Sequence, residues 1–434
     1  MRLQSICQPV RVLLVSVVLS VTVAHCLPAQ DQSDSETPAV DPKMVATHEQ
    51  AAIIKVEDDE GNKLPLLTFC LDKDGNILAG VGSETGQIRV FDPDGKYLRS
   101  WAVAVKPEAV HAAANGSVYV AGDGKLLKYD DQGKLLLEAD APHAAAIKSN
   151  ASELREQVIA QAKARAEMYS RQGEIYQQQI DRYQKEIDGL NSKGEDALTE
   201  ADKQRIAAYE KAIATYKRSK ETFARYAQQN PAKEMTEEQI QQQIQRMVAS
   251  KMKMASVSVA DGEVFVVAPA FTGYGFAVWR TDDEFQNGKR IVSGLRGCCG
   301  QMDAQACSNG VFVAENARYR VSRYDRDGEV TCHWGEGDRE GIVGFGSCCN
   351  PMNVAFGPHG DVYTAEATLG RVKRFSPTGE FLGLVGSVEV VPGCKKVSIA
   401  VNADASRVYM LDITRTHIVM LVRKSEDTAI AAAE

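Results

Sequence analysis

A repeated unit runs through most of this chain, and a repeat constrains a fold more strongly than any single motif. Its two clearest copies are residues 69–101 and residues 351–385. Each copy contains, in order, an apolar segment, a turn with glycine, a second apolar segment, a polar turn, a segment alternating arginine and valine, an Asp-Pro or Ser-Pro turn ending in glycine, and a last apolar segment. Four short strands joined by hairpin turns make up one propeller blade, so each unit predicts one four-stranded blade.

Six copies of the unit follow one another, at residues 69–101, 107–137, 256–290, 301–334, 351–385 and 396–423. The sixth copy contains only three strand segments. Residues 52–56 (AIIKV) are predicted to supply its fourth strand. Closing the ring in this way removes the unpaired strand edge that an open array would expose. The pattern therefore predicts an all-β, six-bladed β-propeller.

The units resemble those of the NHL-repeat family, which pair a GNVYVAD-like second strand with an Arg-Ile or Arg-Val third strand and a DPDGKFL-like turn. The matching segments are residues 75–78 and 361–364 for the second strand, 319–321, 370–372 and 416–418 for the third strand, and 92–95, 325–328 and 376–379 for the turn. The resemblance implies an NHL-like propeller. It implies no single activity, because members of the family include scaffolds, ligand binders and a few enzymes.

Residues 142–251 interrupt the repeat after its second copy and contain few proline or glycine residues but many Ala, Gln, Glu, Lys, Arg and Tyr residues. Apolar and aromatic residues recur at alternating steps of three and four over residues 159–190 and again over residues 206–227, as in the seam of a coiled coil. We expect an α-helical coiled-coil hairpin whose first helix, of about 40 residues, is roughly 60 Å long. Asn150 is predicted to cap this helix, and a capping box at Thr236 is predicted to begin a short third helix.

The N-terminal residues have the pattern of a secretory signal peptide. Arg2 and Arg11 precede an apolar run at residues 12–24, and cleavage is expected after Ala29. Lipid attachment at Cys26 is a weaker alternative, because the residue before it is histidine rather than a small residue. The run is too short for a stable membrane span, and no other stretch approaches the roughly 18 apolar residues that a span needs. We therefore expect an exported protein that is periplasmic, secreted or held at the cell surface.

The predicted domain order is a signal peptide at 1–29, a flexible linker at 30–49, the closing strand with two blades at 50–141, the helical insertion at 142–251, four blades at 252–424 and a tail at 425–434. The linker prediction rests on a polar, aperiodic composition. The formal net charge is −8, with acidic and basic residues interspersed. This balance gives no electrostatic reason to expect nucleic acid as a partner.

Five cysteines fall on the turns that lead into the inner strands of blades 4, 5 and 6: Cys298, Cys299, Cys348, Cys349 and Cys394. In a propeller these turns crowd one mouth of the central channel. Disulfide bonds are the favoured interpretation for an exported protein. A soft-metal or redox site is the second, because thiolates and the thioethers of Met302 and Met352 suit copper, zinc or an iron–sulfur centre, although the Cys-x-x-Cys spacing of zinc sites is absent. Free thiols are the third.

Polar residues at matching positions of the inner strands are predicted to line the channel: Thr68, Asp303, Asn353 and Ser398, with His111 in the second blade. Rings of this kind commonly hold buried water, because buried polar groups need hydrogen-bond partners. This interpretation is favoured over a small-molecule site formed by the same residues.

Some six-bladed relatives carry a metal in this channel, and the resemblance gives two comparisons. The peptidylglycine amidating lyases use several inner-strand histidines, whereas this chain has seven histidines and only His111 on a predicted inner strand. The gluconolactonase-like hydrolases use carboxylate and Asn ligands, for which Asp303 and Asn353 are the candidates. No Ser-His-Asp arrangement, phosphate-binding loop or catalytic carboxylate pair follows from the spacing.

The sequence therefore predicts an extracytoplasmic binding or scaffolding module and assigns no catalytic residue. Protein partners are expected at the propeller face or at the helical hairpin, and self-association through the hairpin is the related possibility. The alternative is a metal-dependent enzyme or a redox protein that uses the cysteine-rich channel mouth.

Overall fold

The computed structural model describes residues 41–425, apart from residues 83–84, 230–234, 272, 299, 348, 392, 394 and 415. The predicted signal peptide, the alternative lipid anchor at Cys26 and most of the predicted linker lie outside these residues. No helix in this part of the chain combines the length and the apolar composition that crossing a membrane requires.

The strands of the described residues form six four-stranded antiparallel sheets, each equivalent to one predicted unit. Blade 1 consists of β2 (Leu66–Leu71), β3 (Ile77–Gly82), β4 (Gly86–Phe91) and β5 (Tyr97–Val103). Blade 2 consists of β6 (Ala109–Ala112), β7 (Val118–Gly122), β8 (Lys125–Tyr129) and β9 (Leu135–Asp140). Blade 3 consists of β10 (Ser256–Ala260), β11 (Glu263–Pro269), β12 (Phe276–Asp282) and β13 (Lys289–Leu295).

Blades 4 to 6 follow blade 3 and have the same strand order, with the innermost strand first. Blade 4 consists of β14 (Asp303–Cys307), β15 (Gly310–Glu315), β16 (Arg320–Tyr324) and β17 (Val330–Trp334). Blade 5 consists of β18 (Asn353–Phe356), β19 (Val362–Ala365), β20 (Arg371–Phe375) and β21 (Phe381–Ser387). Blade 6 consists of β22 (Val397–Val401), β23 (Arg407–Asp412), β24 (His417–Arg423) and, as its outermost strand, β1 (His48–Lys55).

The six inner strands form a closed ring. β2 contacts β6, and contacts then continue in order through β10, β14, β18 and β22 back to β2. The ring closes through backbone hydrogen bonds within blade 6, where β1 pairs antiparallel with β24, so that one sheet contains both ends of the repeat. The predicted six-bladed β-propeller with a closing N-terminal strand is therefore confirmed.

Apolar side chains fill the space between neighbouring blades. At the junction of blades 6 and 1, Ile54 of the closing strand packs in one buried cluster with Leu411 and Ile418 of blade 6 and Ile77 of blade 1. Gly95 of blade 1 has φ +90°, and a Cβ atom at this position would lie 2.6 Å from Cγ1 of Ile54. Glycine is therefore required here both by backbone conformation and by the close approach of the closing strand.

Aspartate and glycine residues shape the hairpin turns as the repeat predicts. Asp72 Oδ1 accepts hydrogen bonds from the backbone nitrogen atoms of Asp74 at 2.9 Å and Asn76 at 2.8 Å, and Gly75 takes the left-handed conformation with φ +81°. The same arrangement of carboxylate and backbone recurs at Asp58, Asp92, Asp130 and Asp325. The recurrence follows from the ability of a short acidic side chain to satisfy the turn's own donors.

The first strand begins before the predicted boundary of the linker. A 3-10 turn occupies Pro42–Met44, and β1 starts at His48 rather than after residue 49. His48 is buried, and its Nε2 donates a hydrogen bond to the carbonyl oxygen of Ala405 at 2.9 Å. This contact with blade 6 extends the closing strand. The polar composition of the segment did not indicate that the strand begins here.

The insertion consists of four helices: α1 (Pro142–Ser149), α2 (Ala151–Asn191), α3 (Glu200–Gln229) and α4 (Glu237–Lys251). α2 and α3 pack against each other as the predicted hairpin, with Ile180, Ile187 and Ile213 buried in the seam. The predicted capping box of α4 is present, because Gln239 N donates to Thr236 Oγ1 at 3.2 Å and Thr236 N donates to Gln239 Oε1 at 3.0 Å.

The prediction that Asn150 caps the long helix is wrong. Its side chain makes no cap hydrogen bond, and Nδ2 donates instead to the carbonyl oxygen of Ala146 at 2.7 Å. The reason is that the chain is already helical before Asn150: α1 packs with Ala144 in a buried cluster that also contains Phe285 of blade 3. Asn150 therefore satisfies the C-terminal carbonyl groups of α1 rather than the N-terminal amides of α2.

Candidate functional site

A cavity of about 230 Å³ lies where the six inner strands meet. All five residues predicted to line the channel border this cavity: Thr68, His111, Asp303, Asn353 and Ser398. They come from five different blades, because each inner strand contributes residues to the same central space. The ring closure therefore brings together positions that are far apart in sequence.

Three of the polar side chains around the cavity bond the backbone of the next blade. The pairs are Ser256 Oγ with Ala304 N at 3.0 Å, Asp303 Oδ2 with Val354 N at 2.8 Å, and Asn353 Oδ1 with Ile399 N at 2.9 Å. In each pair the acceptor side chain belongs to the same repeat position of an inner strand. The donor is the backbone nitrogen one residue after that position in the inner strand of the next blade. These side chains connect blades 3, 4, 5 and 6 through their inner strands.

Ser256 belongs to this set, but the sequence analysis did not assign it to the channel. A second serine two residues later, Ser258, is fully buried and accepts a hydrogen bond from Ala306 N at 2.9 Å. The alternation of two serines on one face of a strand that is otherwise apolar is the signal that identifies them. In blade 2, Ala109 lies opposite Ala121 and takes the matching position, and His111 faces the cavity two residues further on.

Asp303 is the most constrained polar residue of the cavity. Its Oδ2 accepts hydrogen bonds from Asn353 Nδ2 at 2.6 Å and Val354 N at 2.8 Å, and its Oδ1 accepts one from Gln305 Nε2 at 2.9 Å. Burial raises the pKa of Asp303 to about 6, although these donors and the charge of Lys396 act in the opposite direction. At neutral pH the folded protein therefore holds a carboxylate in a buried environment that disfavours its charge.

His111 is uncharged at neutral pH. Burial lowers the pKa of His111 to about 4, against the opposing effect of a hydrogen bond with the backbone of Val259. A neutral imidazole carries one donor and one acceptor nitrogen. His111 therefore adds a polar group to the cavity wall without adding a second positive charge.

A partly buried lysine at the edge of the cavity was not predicted from the sequence. Lys396 lines the cavity, and its Nζ donates a hydrogen bond to the carbonyl oxygen of Glu108 at 2.8 Å. The Glu108 carboxylate accepts a hydrogen bond from Met254 N at 2.8 Å. Burial lowers the pKa of Lys396 and raises the pKa of Glu108, and the charge of each residue partly offsets the shift of the other. Lys396 thus joins the turn before β22 to the turn before β6.

In blades 4 to 6, the segment that leads into the inner strand is hydrogen-bonded to the end of the second strand of the same blade or to the residues just after it. The contacts are Cys298 N with Asn316 Oδ1 at 2.7 Å, Ala367 N with Asn350 Oδ1 at 2.8 Å, and Val391 N with Asp412 Oδ2 at 2.9 Å. In blade 5 the fully buried carboxylate of Glu366 also accepts a hydrogen bond from Gly346 N at 2.8 Å. These contacts join each of the three segments to its own blade.

The turns of blades 4 and 5 converge through their sulfur-containing residues. Cys349 and Met352 are buried in one cluster, and Cys298 packs against it. Asn316, which holds the turn of Cys298, also lies with Nδ2 3.4 Å from the sulfur of Met352. Met302 lies in a different buried cluster, between blades 3 and 4. Two of the predicted cysteines and one of the predicted methionines therefore lie together.

Cys299, Cys348 and Cys394 lie outside the described residues, so the pairing of the cysteines at the mouth stays a prediction. Cys70, Cys307 and Cys332 are not in disulfide bonds. Among the residues that the structure describes, no three His, Cys, Asp or Glu side chains are grouped so that they could hold one metal ion.

No protein-family model matches the chain, and no curated protein matches it. Solved structures resemble its fold at low sequence identity. Regucalcin, a calcium-binding protein from Agrobacterium tumefaciens, is 12% identical with a TM-score of 0.42, over 87% of this chain and 95% of that chain. A gluconolactonase from Xanthomonas campestris and the WD40 β-propeller domain of Doa1 are each 9% identical with a TM-score of 0.39, over 89% of this chain and 99% of theirs. The assignment of the propeller rests on the strand pairing itself.

The raised pKa of Asp303 predicts a pH-dependent contribution to stability. Because the folded state binds this proton more tightly than the unfolded state, the contribution is fully present below about pH 4 and is lost as the pH rises through 6. Between pH 4 and pH 7 the native chain should lose about 2 to 3 kcal/mol of unfolding free energy relative to Asp303→Asn, which cannot ionise. Denaturant unfolding of both proteins across this range measures the difference.

Asp74→Asn is the matched control for this experiment, because Asp74 is an exposed turn residue. The control should follow the native pH profile throughout. A constant difference in stability between the native chain and Asp303→Asn over the same range would contradict the account of Asp303.

Proposed function

We propose that this protein is an exported NHL-type β-propeller that acts as a binding or scaffolding module, with its helical hairpin as the arm that contacts a protein partner or a second copy. The observation that carries the proposal is the hairpin itself, which the propeller does not need for closing its ring. The signal-peptide pattern supports export, and the repeat pattern supports the NHL assignment.

The arm is built to be long and stiff. α2 contains 41 residues, and an α-helix of that length extends roughly 60 Å. Aromatic rings pack along the seam, with Tyr183 5.1 Å from Tyr209 and Tyr176 5.6 Å from Phe223 between ring centroids. Offset aromatic pairs of this kind stabilise a helix interface beyond the apolar area that they bury. A stiff arm presents a partner-binding surface at a fixed distance from the disc.

The base of the arm is anchored to the propeller. α4 lies beside α2, and an ion pair joins Arg155 of α2 to Glu237 of α4 at 2.5 Å. Met254, which follows α4, is buried in the cluster that also contains Ala144 of α1 and Val257 of blade 3. Because both ends of the insertion are packed into blades 2 and 3, the orientation of the arm is linked to that of the disc.

The channel residues support a structural role for the disc. Asp303 and Asn353, the two candidates for a metal site of the gluconolactonase type, are instead bonded to the next blade, as is Ser256. The second candidate function, a metal-dependent or redox activity at the cysteine-rich mouth, is favoured by the burial of Cys349 and Met352 in one cluster with Cys298 against it.

The thiol content of the exported protein distinguishes these two functions. Eight cysteines follow Ala29. With disulfide bonds at the mouth, we expect four alkylated thiols in denaturant, namely Cys70, Cys307, Cys332 and one of the five mouth cysteines, and eight after reduction. Intact-mass measurement also reports the cleavage point after Ala29, and elemental analysis reports metal. Eight reactive thiols together with one equivalent of bound metal would favour the second function instead.

Shortening the arm tests the scaffolding proposal. Residues 176–219 can be replaced by a short Gly-Ser turn. This replacement keeps the contacts of Tyr169 with Phe223 and Tyr226, whose ring centroids lie 6.1 and 5.8 Å from that of Tyr169. The shortened protein should keep the propeller's unfolding transition but lose either its self-association in sedimentation or the partners recovered by quantitative cross-linking from the exported fraction. An unchanged mass in solution together with unchanged partner recovery would rule out the arm as a contact element.

A further inference from the structure

A second cavity, of about 660 Å³, lies at the base of the arm between α2, α4 and the turn that joins β11 to β12. We call it the basal groove and define it by Val158, Ala162, Arg165, Arg246, Met247 and Tyr274. Val158 is buried, and the side chains of Ala162 and Met247 are partly buried. The groove therefore offers apolar surface to an occupant and lies apart from the channel.

The charged side chains that line the basal groove are all positive. They are Arg165 of α2, Arg246 of α4 and Lys251 at the end of α4, and no acidic residue lines the groove among the residues that the structure describes. Lys251 is engaged in the fold, because its Nζ donates to the carbonyl oxygens of Ala270 and Gly273, the latter at 3.1 Å. Arg165 and Arg246 are exposed and make no ion pair within the described part of the chain.

The sequence places no acidic residue where it could pair with these two arginines within their own helices. On a helix, side chains three or four positions apart are neighbours, and an acidic residue at that spacing pairs with an arginine. Six other arginines lie in the helical hairpin and its base: Arg155, Arg171, Arg182, Arg205, Arg218 and Arg225. Five of these have an acidic residue at that spacing, although none of the five forms an ion pair in the described part of the chain, and Arg155 pairs with Glu237. Arg165 and Arg246 have neither, and both line the basal groove.

Tyr274 completes the wall that the propeller contributes. Its side chain is fully exposed, at 104% of the reference area, although it borders the groove. Tyrosine supplies a large contact area at low entropic cost, and it is enriched where proteins bind one another. An exposed tyrosine beside two unpaired guanidinium groups and apolar side chains has the composition of a peptide-binding surface.

We propose that the basal groove binds an acidic peptide segment of a partner protein, with carboxylates on Arg165 and Arg246 and an apolar side chain against Val158, Ala162 and Met247. Guanidinium groups match carboxylates in geometry and charge. The formal net charge of the chain is −8, so the attraction for an acidic segment is local to the groove and does not come from the chain as a whole. The inference rests on the proposed binding function and names the chemistry of the partner.

Fluorescence anisotropy on the full mature chain tests the proposal, with a fluorescein-labelled peptide of alternating glutamate and leucine as the probe. We expect saturable binding that weakens as salt is added, and at least a tenfold loss of affinity in the double variant Arg165→Gln, Arg246→Gln. Tyr274→Ala should reduce affinity several-fold without removing the salt dependence. Replacing glutamate by glutamine in the probe should abolish binding.

The matched control is the double variant Arg171→Gln, Arg218→Gln, which removes the same charge from exposed positions of α2 and α3 that do not line the groove. It should bind the probe as the native chain does, and circular dichroism should show both double variants folded. Absence of binding to the acidic peptide, an equal loss in the control variant, or tighter binding of single-stranded DNA than of the peptide would each overturn the proposal.

Failure of the groove and failure of the arm give different results. The shortened chain that lacks residues 176–219 keeps all the residues that define the basal groove. If shortening the arm removes the partners but peptide binding does not depend on Arg165 and Arg246, only the proposal for the groove is overturned. Peptide binding that depends on both arginines, in a protein whose mass and partners do not change on shortening, would overturn the arm alone.

Discussion

The pairing of β1 with β24 is the constraint on which the rest of the structure depends. It places the first and last strands of the repeat in one blade, so that no edge of the array is left open at the start or the end. Once the ring is closed, each inner strand has a neighbour on both sides, and the six strands face one cavity. Apolar clusters between neighbouring blades then provide most of the stabilisation, because burial of apolar surface is the dominant favourable contribution to folding.

The polar residues of the inner strands are a consequence of that closure. Backbone amides at the axis cannot all pair within their own blade, so Ser256, Asp303 and Asn353 accept hydrogen bonds from the following blade. A buried amide without a partner would cost about 1 to 3 kcal/mol, which is why polar residues persist in strands that are otherwise apolar. The same burial shifts the pKa of Asp303 upward and that of Lys396 downward, because an apolar environment disfavours both charges.

Much of the propeller could be predicted from the repeat, because the strand segments, the turns and the closing strand each have a local sequence pattern. The helical hairpin and the capping box at Thr236 could be predicted for the same reason. The parts that could not be predicted depend on contacts between distant segments. Asn150 fails as a cap because α1 precedes it, and Lys396 meets Glu108 only after the ring has closed. Ser256 was missed because its blade diverges from the others. Four of the five channel residues lie at positions that the repeat aligns, whereas His111 lies two residues beyond the matching position of its blade. No local pattern assigns a ligand to them.

A comparison of two adjacent isoleucines of β1 tests ring closure most directly. Ile54 is 3% exposed and faces blade 1, whereas Ile53 is 51% exposed on the other side of the same strand. In denaturant unfolding, Ile54→Ala should cost about 2 to 4 kcal/mol, because it removes buried methyl groups and leaves a cavity between blades 6 and 1. Ile53→Ala should cost less than about 1 kcal/mol. Equal and small losses for the two substitutions would show that β1 does not close the ring.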